Sequence, residues 1–215
     1  MMENNAKSTI EAGKAIPGIE LGSTRIKAVL IDGENKPVAQ GSHTWENRLE
    51  DGLWTYSIDA VREGVRDCYA DLRANVRKEY GIEIERLAAI GVSAMMHGYM
   101  AFGDKEEILV PFRTWRNTNT GPAAAELSGL FVYNIPLRWS ISHLYQAILN
   151  KEEHVDRITF LTTLAGYVHW QITGEKVLGV GDASGMLPID PETGNYSDGM
   201  VEKFDRLIAP YGFSW

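Results

Sequence analysis

Three short stretches of the chain carry residue types that could do chemistry. The first is Gly22-Ser23-Thr24, preceded by Glu20 and followed by Lys27. Small residues leave backbone N–H groups open, two hydroxyls and one ammonium add donors, and the carboxylate could hold a hydrated Mg²⁺; a phosphate needs that mixture. The same residues are also ordinary hairpin-turn chemistry. The second stretch, Met95-Met96-His97-Gly98, follows an apolar run whose strand end would deliver side chains to a cleft. His97 suits a sugar hydroxyl there, although a histidine beside methionines is more often a core residue. The third is Trp115-Arg116-Asn117-Thr118-Asn119, an indole face with polar donors at its edge, as a sugar requires. One buried indole pinning a loop would look the same.

Other patterns carry less. Gly179 to Gly185 has the spacing GxGxxxG and does not lie between a first strand and its helix, so it is not read as a dinucleotide loop, and Asp182 within it is read as structural. A Walker A loop is absent, as is a GxSxG elbow. His43, His97, His143, His154 and His169 form no HExxH, and Cys68 is alone, so no zinc is expected. Asp190 to Gly194 reads as a plain turn.

These stretches need elements to position them. From Pro17, Ile19 and Leu21 and then Ile26 to Ile31 predict a hairpin around Gly22 to Arg25, and Pro37 to Thr44 adds a third antiparallel strand. Ile58, Val61, Val65, Tyr69, Leu72, Val76 and Tyr80 predict one long helix, capped by Ser57 and stopped by Gly81. Leu87 to Ala94 reads as a central strand buried on both faces. Tyr99 to Phe102 and Ile108 to Val110 suggest a short hairpin, and helices are expected at Ala123 to Phe131, Ser140 to Leu149, Thr162 to Ile172 and Met200 to Ile208. Residues 1–16 are expected to be a flexible tail, neither signal peptide nor anchor. The whole is an α/β pattern, compatible with a mixed sheet of the ribonuclease H-like kind with flanking helices.

Composition bounds the function. The chain has 215 residues, 44% hydrophobic and 23% charged, with 21 basic against 29 acidic side chains and a formal charge of −8. That balance suits a globular core and offers no basic footprint for nucleic acid. The longest apolar stretch, Leu87 to Met96, is far short of the ~20 residues that span a bilayer. A single cysteine leans toward a reducing, cytoplasmic setting.

Taken in order, these segments resemble the amino-terminal domain of the FGGY carbohydrate kinases, and within them the xylulokinase branch, over roughly Gly18 to Leu207. The motifs that carry the resemblance are Gly18-Ile19-Glu20-Leu21-Gly22-Ser23-Thr24-Arg25-Ile26-Lys27, Gly91 to Gly98 through Met96-His97, Trp115 with its polar followers, and the run from Thr173-Gly174-Glu175 through Asp182-Ala183-Ser184-Gly185 to Asp190. The resemblance implies an actin-type ATPase architecture and an ATP- and Mg²⁺-dependent phosphoryl transfer to a sugar hydroxyl. It places Gly22, Ser23, Thr24 and Lys27 at the ATP phosphates, Glu20 at Mg²⁺ through water, and Met96, His97, Trp115, Arg116 and Asn117 at the sugar. Xylulose is the first substrate it points to, with another ketose or a polyol alongside.

The resemblance also implies what this chain lacks. The family's general base is an aspartate in a Gly-rich motif beyond the matched stretch, and its second phosphate and adenosine motifs lie later still. The expectation is therefore a truncated half-enzyme, residues 17–215, inactive alone, with no catalytic residue of its own. Its partners would be a sugar, the missing carboxy-terminal domain and, left open, a second copy; nucleic acid and membrane are excluded. Glu20 stands where the family usually has Asp, Asn117 where it has an acid, and Gly166 and Gly179 where Asp is frequent. Two other functions stay open: an actin-like ATPase with a non-sugar role, and a non-catalytic sugar sensor.

Overall fold

The computed structural model describes residues 2–214. In chain order the elements are α1 (Met2–Glu11), β1 (Ile16–Leu21), β2 (Arg25–Ile31), β3 (Pro37–Thr44), β4 (Arg48–Glu50), β5 (Leu53–Thr55), α2 (Ile58–Tyr80), β6 (Gly91–Ala94), β7 (Met100–Phe102), α3 (Gly121–Phe131), α4 (Ser140–Leu149), β8 (Phe160–Thr162), α5 (Leu164–Thr173), α6 (Val180–Ala183) and α7 (Asp198–Ile208). They form two compact units, one of residues 1–47 and 56–95, the other of residues 48–55 and 96–215.

The first unit is a four-stranded mixed sheet in the order β3-β2-β1-β6. The expected meander is present: β1 pairs antiparallel with β2, Glu20 opposite Lys27, and β2 pairs antiparallel with β3. On β2 the side chains alternate, Ile26, Ala28 and Leu30 buried and their neighbours outward, because one face alone meets the core. Helix α2 has the predicted ends. Ser57 Oγ accepts from the Ala60 amide at 3.1 Å, and Gly81 closes it at φ 66°. Its buried face is rotated from the predicted one and centres on Val61, Gly64, Cys68, Leu72 and Val76. The cause is Gly41 on β3, where a β-carbon would collide with the backbone of Cys68 and Leu72, so only glycine lets the helix lie this close.

Two expectations fail in this unit. The supposed flexible tail holds α1, whose Ala6 and Ile10, four residues apart on one face, are 5% and 2% exposed. Three apolar residues in a helix of ten, one of them a small alanine, give too weak a pattern to recognise. The supposed central strand is only Gly91–Ala94, runs parallel to β1, and lies at the sheet edge with its side chains exposed or half-buried. Leu87 to Ile90 precede it as irregular chain, with the Ala88 amide bonded to Ala15 O at 3.1 Å.

The second unit is mainly helical around a core that includes Tyr99, Leu127, Leu144, Tyr145, Ile148 and Phe204. Helix α4 has the predicted limits, whereas the predicted Thr162–Ile172 helix divides into β8 and α5, with Thr163 Oγ1 capping α5 by accepting from the Gly166 amide at 3.1 Å. Strand β7 pairs antiparallel with β8, and the expected hairpin with Ile108–Val110 is present in reduced form, as an isolated bridge from Phe102 to Ile108 and a bond from the Leu109 amide to Ala101 O at 2.9 Å. A hairpin of β4 and β5, absent from the sequence reading, also belongs here.

Candidate functional site

In the first unit the turn between β1 and β2 is polarised by an aromatic clamp. Gly22 O accepts the Trp45 indole N–H at 2.7 Å, Ser23 O the Tyr56 hydroxyl at 2.5 Å, and Thr24 O the Trp45 amide at 3.2 Å. Trp45 and Tyr56 are buried and stack at 4.2 Å. The Gly22 amide closes the turn on Arg25 O at 3.0 Å. Among the described residues, the Ser23 and Thr24 amides and hydroxyls have no partner. All three carbonyls are thus occupied from one side while two amides and two hydroxyls stay open, which makes the turn a donor surface for an anion. Neither Trp45 nor Tyr56 was singled out in the sequence, because their bonds are to backbone atoms that no side-chain motif marks.

Glu20 and Lys27 flank the turn as a cross-strand pair at 3.8 Å, both side chains more than half exposed. No cluster of three or more metal-ligating side chains occurs among the described residues. One exposed carboxylate fits a hydrated Mg²⁺ that takes its remaining ligands from water and phosphate, not a cage built from protein alone.

In the second unit His97 has φ 72° and Gly98 φ 95°, two left-handed residues in succession that reverse the chain. Gly98 is held on both sides, its amide on Arg138 O at 2.9 Å and its carbonyl by Ser140 Oγ at 2.6 Å. The His97 ring lies against Trp139, centroids 6.5 Å apart. Its Nδ1 is buried without a bond of good geometry, packed so closely on Gly185 that a β-carbon there would stand 2.7 Å away. Burial pushes the His97 pKa below its ordinary 6.5; the Gly185 backbone opposes this, Arg138 reinforces it and Asp182 opposes it. His97 is therefore neutral at neutral pH and can exchange hydrogen bonds with a hydroxyl. Met96 beside it is exposed.

Asp182 on α6 accepts the Thr163 hydroxyl, and burial raises its carboxyl above the usual range against that bond and the nearby His97 ring. Trp115 is half-buried, and Arg116 lies with its guanidinium 3.6 Å from the centroid of the Trp54 ring, a cation–π contact within the unit. Asn117 departs from its expected sugar-binding role. It is 4% exposed and its amide is spent: Oδ1 accepts the Trp54 amide at 2.9 Å, and Nδ2 donates to Trp54 O at 2.8 Å and Thr114 O at 3.0 Å. It pins β5 to the Trp115 loop, a task an aspartate could not perform because it has no N–H. The predicted residues thus fall into two groups, Glu20, Gly22, Ser23, Thr24 and Lys27 in one unit and Met96, His97, Trp115, Arg116 and Asn117 in the other. Trp139 and Trp54 are the residues the sequence reading missed beside the second group; unassigned tryptophans were the available signal.

The sequence pattern of the amino-terminal domain of the FGGY family of carbohydrate kinases matches residues 15–207. A xylulose kinase of Lactococcus lactis is 22% identical, the alignment taking in 90% of this chain and 40% of the relative. Among solved structures, a xyloylose kinase from Brucella ovis superposes with a TM-score of 0.74 at 21% identity, over 93% of this chain and 41% of the other. A gluconate kinase from Lactobacillus acidophilus gives 0.73 at 21%, over 88% and 39%. The chain therefore spans about 40% of the length of these relatives. The α/β mixed sheet with flanking helices is the expected ribonuclease H-like, actin-like ATPase fold.

Proposed function

From the premise that the chain belongs to the FGGY family of carbohydrate kinases, as its amino-terminal domain, we propose that it is the sugar-binding half of a cytoplasmic, ATP-dependent sugar kinase. The observation that carries this reading is the polarised turn, whose carbonyls are clamped and whose donors are free, in a chain that also holds a neutral histidine against an aromatic ring. Phosphoryl transfer to an alcohol asks for an anion holder and a hydroxyl holder, and each compact unit supplies one of them.

In this reading the Ser23 and Thr24 amides, their hydroxyls and Lys27 bind ATP phosphate oxygens. Glu20 would hold Mg²⁺ through water, and the ion would supply neutralisation of phosphate charge. His97, Met96, Trp115 and Arg116 face the sugar, with Trp139 backing the His97 ring. His97 orients a hydroxyl through hydrogen bonding. No side chain here is assigned as the base that takes the hydroxyl proton; that residue belongs to the remainder of the kinase. Xylulose is the first candidate substrate, supported by the xylulose kinases among the relatives.

ADP release over a panel of ketopentoses, ketohexoses and polyols tests the proposal, using a reading frame that carries the second kinase domain beside this chain alone. Sugar-dependent turnover in the long form and none in the short is expected. Absence of sugar-dependent turnover in the long form across the panel would sink the kinase reading.

A further inference from the structure

Arg113 is an unusual residue to find 6% exposed. Its guanidinium forks onto Glu152, Nη1 donating to Oε1 at 3.3 Å and Nη2 making the closer contact to Oε2, while its Nε has no partner among the described residues. His154 Nδ1 is 3.6 Å from the same Oε2, and its Nε2 is 2.8 Å from the Tyr99 hydroxyl. The guanidinium carbon lies 5.2 Å from the centroid of the Tyr99 ring. Tyr99 and Arg113 meet a second time through their backbones, each amide donating to the other's carbonyl, at 2.9 and 3.1 Å.

A buried ion pair roughly breaks even against apolar residues of similar size, so stability gives no reason for this one. What charges add is a fixed geometry. The bridge they secure is antiparallel, so His97 and Trp115, each two residues from it, leave at the same end. The bridge therefore sets two of the segments assigned above to the sugar.

We propose that the Arg113–Glu152 pair, with Tyr99 and His154, is a positioning device that holds the His97 and Trp115 segments in register, a role that rests on reading this unit as the sugar side. Neither Arg113 nor Glu152 touches the sugar in this account. They act through the backbone of Tyr99 and Arg113.

The test is residue-resolved amide exchange on the chain as it stands, comparing wild type with the double variant Arg113→Met, Glu152→Leu, which removes both charges and strands neither. The Tyr99 and Arg113 amides should exchange at least roughly tenfold faster, with the α5 amides unchanged and the His97 ring resonances broadened. Unchanged exchange at the bridge, or equal acceleration throughout the unit, would overturn the proposal. Should the double variant fail to fold, Arg113→Lys keeps the charge without the fork and is held to the same two criteria. Titration of wild type with xylulose is scored separately: absence of binding counts against the sugar reading alone, whereas the exchange data decide the positioning role without any ligand.

Discussion

The turn of the first unit and the sugar-facing segments of the second solve recognition in opposite ways. The turn offers two backbone amides beside the Ser23 and Thr24 hydroxyls, oriented because Trp45 and Tyr56 occupy its carbonyls. The second unit offers side chains whose segments are set by contacts from distant parts of the chain: His97 by Trp139 and Gly185, and the Trp54 backbone by Asn117. A backbone site needs a local turn and an outside clamp, so many sequences can build it. A side-chain site depends on a few non-local partners, and its loss should be abrupt.

Asn117→Asp is the harshest way to break that contrast. It replaces two donated bonds by repulsion inside a 4% exposed site and should destabilise the second unit by about 3 kcal/mol or more, read as a fall in melting temperature with loss of the Trp54 and Trp115 fluorescence signature. Acid should also strike the second unit. His143 on α4 is fully buried, neither ring nitrogen has a partner among the described residues, and burial lowers its pKa to about 3. The unfolded histidine, near 6.5, takes up its proton first, so this contribution is complete above 6.5 and is lost progressively as pH falls toward 3. Chemical denaturation across that range should show the loss, and His143→Leu should flatten it; an unaltered slope would remove His143 as the cause.

Smaller effects sharpen the picture of the turn. Tyr56→Phe removes one clamp on Ser23 O and should cost about 1 kcal/mol of stability in urea melts, with weaker ATP binding. Lys27→Gln and Glu20→Gln should shift the melting temperature by no more than about a degree, because the exposed pair contributes little to folding, yet Lys27→Gln should weaken ATP binding measurably by calorimetry. Equal losses of ATP affinity in Tyr56→Phe and Lys27→Gln would show that orientation of the turn matters as much as charge.

The contrast also explains what could be read from residues alone. The meander and α2 were legible because alternation, periodicity and caps are local, as at Ile26 to Leu30 and at Ser57 and Gly81. The rotation of α2 onto Gly64 and Cys68 was not, since it follows from a glycine on another element, Gly41. Leu87 to Ala94 looked like a buried strand because its composition is apolar, yet only four of those residues find a strand partner. In the site, Gly22 to Lys27 announced donors and charge, whereas Asn117 looked like a sugar contact because an amide's preferred partners are invisible without the Trp54 backbone beside it.

The close seating of α2 on Gly41 also gives the chain a clock. Cys68 is the chain's one thiol, lies fully buried at that contact, and burial holds its pKa up at about 11. In the closed structure it is both out of reach and protonated, so alkylating reagents should modify it only when the helix lifts from the sheet. The slow growth of a single labelled species in a mass spectrum would then count those openings one at a time, with no engineered probe.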